Sequence, residues 1–159
     1  MTANIRKNFL RFGACVTAAM LFAGCATAPE PAPITPAVPL IDAAISGRWL
    51  GGKAELGGRD FRLPANFTLY IEGNLFSTQN GGRTDAGRLV FHAGAPKGLD
   101  VIGEQGPTAG RKLMAIYRLV GEGGRQLEIC YDLSGTTRPT EFASKPDTQL
   151  FRITYTRAP

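Results

Sequence analysis

The chain has 159 residues and a formal net charge of +5, from 18 Lys and Arg against 13 Asp and Glu. Arg6, Lys7 and Arg11 stand in its first dozen residues, and without them 15 basic residues face 13 acidic ones, a balance that argues against nucleic acid or an acidic substrate as partner. Of three cysteines only Cys130 lies beyond residue 25, so a domain there forms no internal disulfide.

Arg6, Lys7 and Arg11 precede an apolar run from Phe12 to Ala23. A charged start, a short apolar stretch and small residues before a cut describe a secretory signal peptide. The run falls short of the ~20 residues that span a bilayer. Leu21-Phe22-Ala23-Gly24-Cys25 resembles the lipobox of bacterial lipoproteins. That resemblance implies a leader over 1–24, cleavage before Cys25, a diacylglycerol on its thiol and an acylated new amine. The chain is then tethered to a membrane outside the cytoplasm. Ala26, not Asp, follows the cysteine. This resembles the outer-membrane pattern of proteobacterial lipoproteins and implies a cell-envelope protein facing the periplasm. An ordinary secretory cut near Ala26 or Ala28 and an uncleaved membrane helix are the competing readings.

Residues 25–44 carry Pro29, Pro31, Pro33, Pro36 and Pro39. Proline removes amide donors and restricts the backbone, so this segment reads as an extended, semi-rigid spacer. Asp42 to Ser46 has the makings of a short helical turn before the domain.

The domain proper, 45–159, is long enough for one core. Its apolar residues recur with period two in short runs separated by glycine-rich breaks, the pattern of strands joined by tight turns. Eight strands are predicted, over 46–56, 66–72, 74–79, 86–92, 98–103, 111–120, 125–132 and 148–157. Gly57-Gly58, Gly73-Asn74, Asn80-Gly81-Gly82 and Gly121 to Gly124 supply the turns. Short connections favour neighbouring antiparallel strands. The fold class is therefore all-β, an eight-stranded up-and-down barrel, with a sandwich as the alternative. Phe67, Leu69, Ile71, Leu89, Phe91, Leu113, Tyr117, Leu119, Leu127, Ile129, Tyr131, Phe151, Ile153 and Tyr155 form the inward face. Glu72, Arg88, Lys112, Arg118, Glu128, Asp132 and Arg152 form the outward one.

Three stretches carry a family resemblance. The first is Gly47-Arg48-Trp49 with Gly57-Gly58-Arg59-Asp60 and Leu63-Pro64. The second is Met114-Ala115-Ile116-Tyr117-Arg118-Leu119 leading to Leu127-Glu128-Ile129-Cys130-Tyr131. The third, and the most specific, is Arg138-Pro139-Thr140-Glu141-Phe142-Ala143-Ser144-Lys145-Pro146 with a last strand ending Tyr155-Thr156-Arg157. They resemble the Planctomycetes uncharacterised domain, a family of secreted lipocalin-like domains, over nearly the whole of 45–159. That resemblance implies a small lipocalin-like barrel and no particular activity. The Gly-x-Trp of the first strand also resembles the true lipocalins. There the tryptophan closes one barrel end beneath an arginine of the last strand, which implies Arg157 or Arg152 over Trp49, a cation–π contact.

Enzyme chemistry finds little footing. His92 is the single histidine, which excludes a multi-histidine metal site, and no Cys/His cluster is present. There is no Gly-x-Ser-x-Gly elbow. Gly121-Glu122-Gly123-Gly124 lies between two strands and reads as a hairpin rather than a phosphate loop. Asp/Glu pairs such as Asp100 and Glu104 are candidate catalytic carboxylates, for which the sequence gives no geometry. No cofactor is expected, and Cys130 reads as packing. An eight-stranded barrel is either filled by side chains or holds one small molecule. For the second case the candidate ligand-binding residues are Tyr117, Tyr131 and Tyr155, orienting a polar end, and Phe67, Phe91 and Phe151, lining an apolar body. The long connection from Leu133 to Thr148 is the other candidate. In one reading it seals a barrel end, with Phe142 plugged into the core and Arg138 or Glu141 bonding backbone. In the other, Arg138 and Glu141 dock a partner protein. The sequence thus points to a non-enzymatic, monomeric envelope lipoprotein with a barrel for a small apolar or amphipathic ligand. A protein-binding inhibitor or assembly accessory acting through its loops is the alternative.

Overall fold

A computed structural model describes residues 40–159; the leader, Cys25 and all but the end of the proline-rich segment lie outside the described residues. The strands are β1 (Gly47–Leu56), β2 (Arg59–Asp60), β3 (Thr68–Glu72), β4 (Leu75–Asn80), β5 (Arg83–His92), β6 (Lys97–Gln105), β7 (Lys112–Val120), β8 (Gln126–Asp132) and β9 (Leu150–Arg157). They pair antiparallel in the order β2-β1-β3-β4-β5-β6-β7-β8-β9, and β1 pairs again with β9. That last ladder, from Trp49↔Arg157 to Leu56↔Phe151, closes eight strands into a barrel and sets the sandwich aside. Closure leaves no long unpaired edge. The short β2, absent from the expected set, pairs only with Glu55 and Leu56 at the end of β1.

The alternation behaves as expected. The core contains Trp49, Leu69, Ile71, Leu89, Phe91, Leu113, Tyr117, Leu127, Ile129, Ile153 and Tyr155, with Phe67, Leu119, Tyr131 and Phe151 packed against it. One device keeps β1 in phase. Against β9, Gly51 pairs with Tyr155 and Ala54 with Ile153, so three steps on β1 oppose two on β9. A bulge of this kind adds one residue to one strand. Here it puts Ala54, rather than Lys53, on the inside.

One barrel end is plugged by the chain just before β1. Asp42 caps a 3₁₀ turn over Ala43–Ile45, accepting a bond from the Ala44 N–H. Ile45 and Trp49 are fully buried, and the Trp49 indole N–H donates to the Ile45 carbonyl at 2.8 Å. The Arg157 guanidinium lies 4.1 Å from the Trp49 ring centre and donates to the carbonyls of Ser46 and Ala44. Arg157, not Arg152, takes the place over the tryptophan. Asp42 to Ala44, expected in the spacer, thus pack on the barrel.

The segment between β8 and β9 does not seal an end. It runs as a strap across the outer wall of β6, β7 and β8, burying the outward Ile116, Glu128, Cys130 and Asp132. The Asp132 carboxylate starts it, accepting the backbone N–H groups of Ser134, Thr136 and Thr137. Phe142, expected inside, lies outside with the Arg118 guanidinium 4.1 Å from its ring centre. Beneath it Glu128 accepts from Arg118 and Arg152, both at 2.6 Å. The Cys130 thiol points at the Ala143 carbonyl, 3.6 Å away. Burial pushes that thiol's pKa up to about 11. Only the thiolate reacts as a nucleophile. Ellman's reagent at pH 8 is therefore expected to titrate Cys130 at least about a hundredfold more slowly in the native protein than in urea. Equal rates would show that the strap does not cover it.

Candidate ligand site

The turns at the plugged end join β3 to β4, β5 to β6 and β7 to β8. Those at the other end join β4 to β5, β6 to β7 and β8 to β9. Bulk is distributed unevenly between the two ends. Trp49, Phe91 and Tyr117 fill the plugged end, with Phe91 and Tyr117 edge to face at 5.9 Å. Towards the other end several inward positions are smaller or polar, Thr78 and Asn80 on β4, Val101 on β6 and Leu113 at the start of β7, while Tyr131 and Phe151 stand on β8 and β9. A cavity of about 260 Å³ remains there.

Its wall is apolar, formed by side chains such as Phe67, Leu69, Phe76, Val101, Leu113 and Phe151. Phe67 stacks on Tyr155 and Phe151 on Tyr131, with ring centres 6.3 and 6.1 Å apart. Tyr131 and Tyr155 contribute the phenols. Burial pushes the Tyr131 hydroxyl's pKa up to about 12 and raises that of Tyr155 well above the ordinary value, and each phenol is the other's polar neighbour. Both stay neutral donors at any physiological pH. The mouth is polar, lined by Thr78, Asn80, Arg83, Thr84, Asp85 and Thr108.

Four of the six expected ligand residues therefore line one cavity: Phe67, Tyr131, Phe151 and Tyr155. Tyr117 and Phe91 do not. Tyr117 donates its hydroxyl to Asp42 at 2.9 Å, beside Lys97, which donates to the same carboxylate oxygen at 2.8 Å. Burial and the Asp42 charge raise the Tyr117 pKa, while its bond and that of Lys97 outweigh burial and hold Asp42 below the ordinary carboxylate range. Tyr117 is a fastener of the plug. The period-two pattern placed it inward correctly but held no information on its height along the barrel.

The mouth residues were missed for a related reason. Starting the fourth expected strand, the counterpart of β5, at residue 86 left 83–85 in a turn. The two-residue Gly81-Gly82 hairpin pairs Asn80 with Arg83, so β5 begins three residues earlier and aims Arg83 and Asp85 at the mouth. Two-residue loops of glycine are the commonest hairpin signal, and that rule would have found them.

Of the loop candidates, Arg138 is engaged with the barrel and Glu141 with the strap itself. Arg138 donates from Nη1 to the carbonyls of Leu99 at 3.0 Å and Ala115 at 2.6 Å, and from Nη2 to Asp100. Glu141 pairs with Lys145 four residues on. His92 meets the other oxygen of Asp100 at 3.2 Å, and Glu104 pairs with Arg88. Asp100 and Glu104 thus sit on the outer wall, each held by an arginine, and neither lines the cavity. Comparison with models of protein families, with curated proteins and with solved structures finds no match for the chain.

Proposed function

We propose that this chain is a non-enzymatic binding module of the cell envelope, held to a membrane by lipid on Cys25, whose barrel takes up one small apolar or amphipathic molecule. The carrying observation is the apolar 260 Å³ cavity, beside a barrel end that is tightly plugged. Closed barrels of eight strands have room for a filled core or one small ligand, and here the filling stops partway. An apolar pocket with a few convergent polar groups is the usual form of a ligand site. The non-catalytic part rests on His92, Asp100 and Glu104, the groups best suited to acid–base work, which are held by side-chain partners outside the barrel. The three sequence motifs that resemble the Planctomycetes lipocalin-like domain support the barrel in this reading and imply no activity of their own. The engagement of Arg138 and Glu141 within the strap weighs against a loop-docking role.

The volume indicates the size of ligand. A cavity of ~150 Å³ takes benzene, with six heavy atoms, so 260 Å³ suits about ten. Titration calorimetry of the purified chain with 1-octanol tests this. Binding is expected, and Val101→Phe, which adds bulk to the cavity wall, is expected to weaken it at least about fivefold while far-ultraviolet dichroism stays unchanged. A parent protein that takes up no octanol would defeat the ligand reading. The anchor has its own test. Cys25→Ser is expected to move the protein from the detergent-rich to the aqueous phase, since acyl chains contribute about 0.8 kcal/mol per buried methylene. An unchanged partition would defeat the lipid anchor.

A further inference from the structure

The apolar wall says little about the polar group a ligand carries; the mouth says more. Two charged side chains line the cavity, Arg83 and Asp85, of opposite sign and two residues apart on one face of β5. Asp85 is built into place. Thr108 donates to its Oδ1 from the backbone N–H at 3.1 Å and from the hydroxyl at 2.6 Å. The turn carrying Thr108 reaches it because residue 106 is glycine. A Cβ there would stand 2.3 Å from the Thr84 carbonyl oxygen and 2.9 Å from the Asp85 Cα, at a φ of +80° that disfavours other residues.

What these two groups leave unused is informative. Asp85 Oδ2 accepts no hydrogen bond, and Arg83 makes no ion pair and no side-chain hydrogen bond, among the described residues. Nor do the two pair with each other. A simple anion on Arg83 would be opposed by the Asp85 charge, and a simple cation on Asp85 by Arg83. A head group that presents an anionic acceptor and, one or two atoms away, a hydrogen-bond donor meets both. The guanidinium fork takes a carboxylate through two parallel bonds, and the free carboxylate oxygen takes the donor.

Resting on the cavity-binding reading above, we infer that the ligand is a short amphiphile of about ten heavy atoms whose head carries an anionic acceptor on Arg83 beside a hydrogen-bond donor on Asp85, the chemistry of a 3-hydroxy carboxylate. Its chain lies against Phe67, Val101 and Leu113. Asp85, rather than Arg83, then sets the specificity, because any carboxylate satisfies the arginine while only one with an adjacent donor tolerates the aspartate.

Calorimetry on the full chain with 1-octanol, octanoate and 3-hydroxyoctanoate distinguishes the possibilities. Octanol binding tests the cavity itself. Beyond it, 3-hydroxyoctanoate is expected to bind at least about tenfold more tightly than octanol or octanoate. Arg83→Gln should bring it within about threefold of octanol, and Asp85→Asn within about threefold of octanoate, which that variant binds more tightly because it loses its repulsion. The Asn amide oxygen still accepts from Thr108, so the turn keeps its fastening. Arg83 is exposed, so its variant decides the matter alone if the other folds poorly. Octanol binding without a preference for 3-hydroxyoctanoate, or a preference that survives both substitutions, overturns the inference and leaves the cavity reading standing. Uptake of none of the three by the parent overturns both.

Discussion

Trp49→Ala is expected to destabilise the barrel by about 4 kcal/mol, lowering the melting temperature by about 15 °C. Trp49 has no exposed surface, so truncation leaves a void at the plugged end that the rigid strand ladders on both sides cannot fill. The loss goes beyond volume. The Ile45 carbonyl loses its indole donor, and Arg157 loses the ring it covers. With Ile45 no longer held, the turn carrying Asp42 loosens, and with it the bond to Tyr117. Trp49→Phe restores most of the apolar volume without the N–H donor and is expected to cost about 2 kcal/mol. Urea unfolding of both variants checks this. A Trp49→Ala protein within about 1 kcal/mol of the parent would mean that the plug contributes little to the fold.

Arg138→Ala is expected to cost about 3 kcal/mol and to release the strap. The guanidinium is largely covered and serves three acceptors: two carbonyls at the paired positions Leu99 and Ala115, and the Asp100 carboxylate. It fits there because residue 98 is glycine; an added Cβ would lie 3.0 Å from Nη1. Without it, buried Asp100 keeps only the half-exposed His92 and Lys112. The effect carries a pH signature. Burial works to raise the Asp100 pKa, but the bonds from Arg138 and His92 outweigh it and hold the carboxyl below the ordinary range. A depressed carboxyl stabilises the fold fully above its unfolded value, near 3.9, and that contribution is lost as pH falls through the folded value. The gap between parent and variant is therefore expected to be widest above about pH 5 and to narrow below about pH 4. A gap that is constant with pH would mean that Arg138 acts through its carbonyl bonds alone. The released strap should also expose Cys130 to Ellman's reagent in the variant.

Much of the barrel was legible because a strand has a simple code. Period two separates Leu127, Ile129 and Tyr131 from Glu128, Cys130 and Asp132 without any knowledge of partners. Glycine turns mark where each run stops, and eight short runs with short connections leave few arrangements other than a meander. The gap between Gly51 and Ala54 in the β1–β9 register shows the limit of that code. Strict alternation would place Lys53 inside, and only pairing against β9 shows that an extra residue bulges out.

The outward side of β8 went unread for a different reason. Glu128 and Asp132 were rightly placed on the outer wall, yet they are buried, because the irregular strap that follows β8 folds back across them. Periodicity reports which side of its own strand a residue faces, and carries nothing about what another segment lays on that side. The same holds for Arg138, whose three acceptors come from β6 and β7.

By itself the sequence determined the all-β class, the succession of short strands and tight turns, the inward set and the lack of a disulfide within 45–159, since each follows from local periodicity, turn chemistry or composition; closure came from the β1–β9 ladder. Only the tertiary structure decided where along the barrel each inward residue sits. It brought Asp42 to Tyr117, separating that phenol from Tyr131 and Tyr155, and it set Arg83 and Asp85 at the mouth. Height along a barrel depends on the register between strands, and register is a property of pairs. A single strand's alternation repeats every two residues and looks the same at every height.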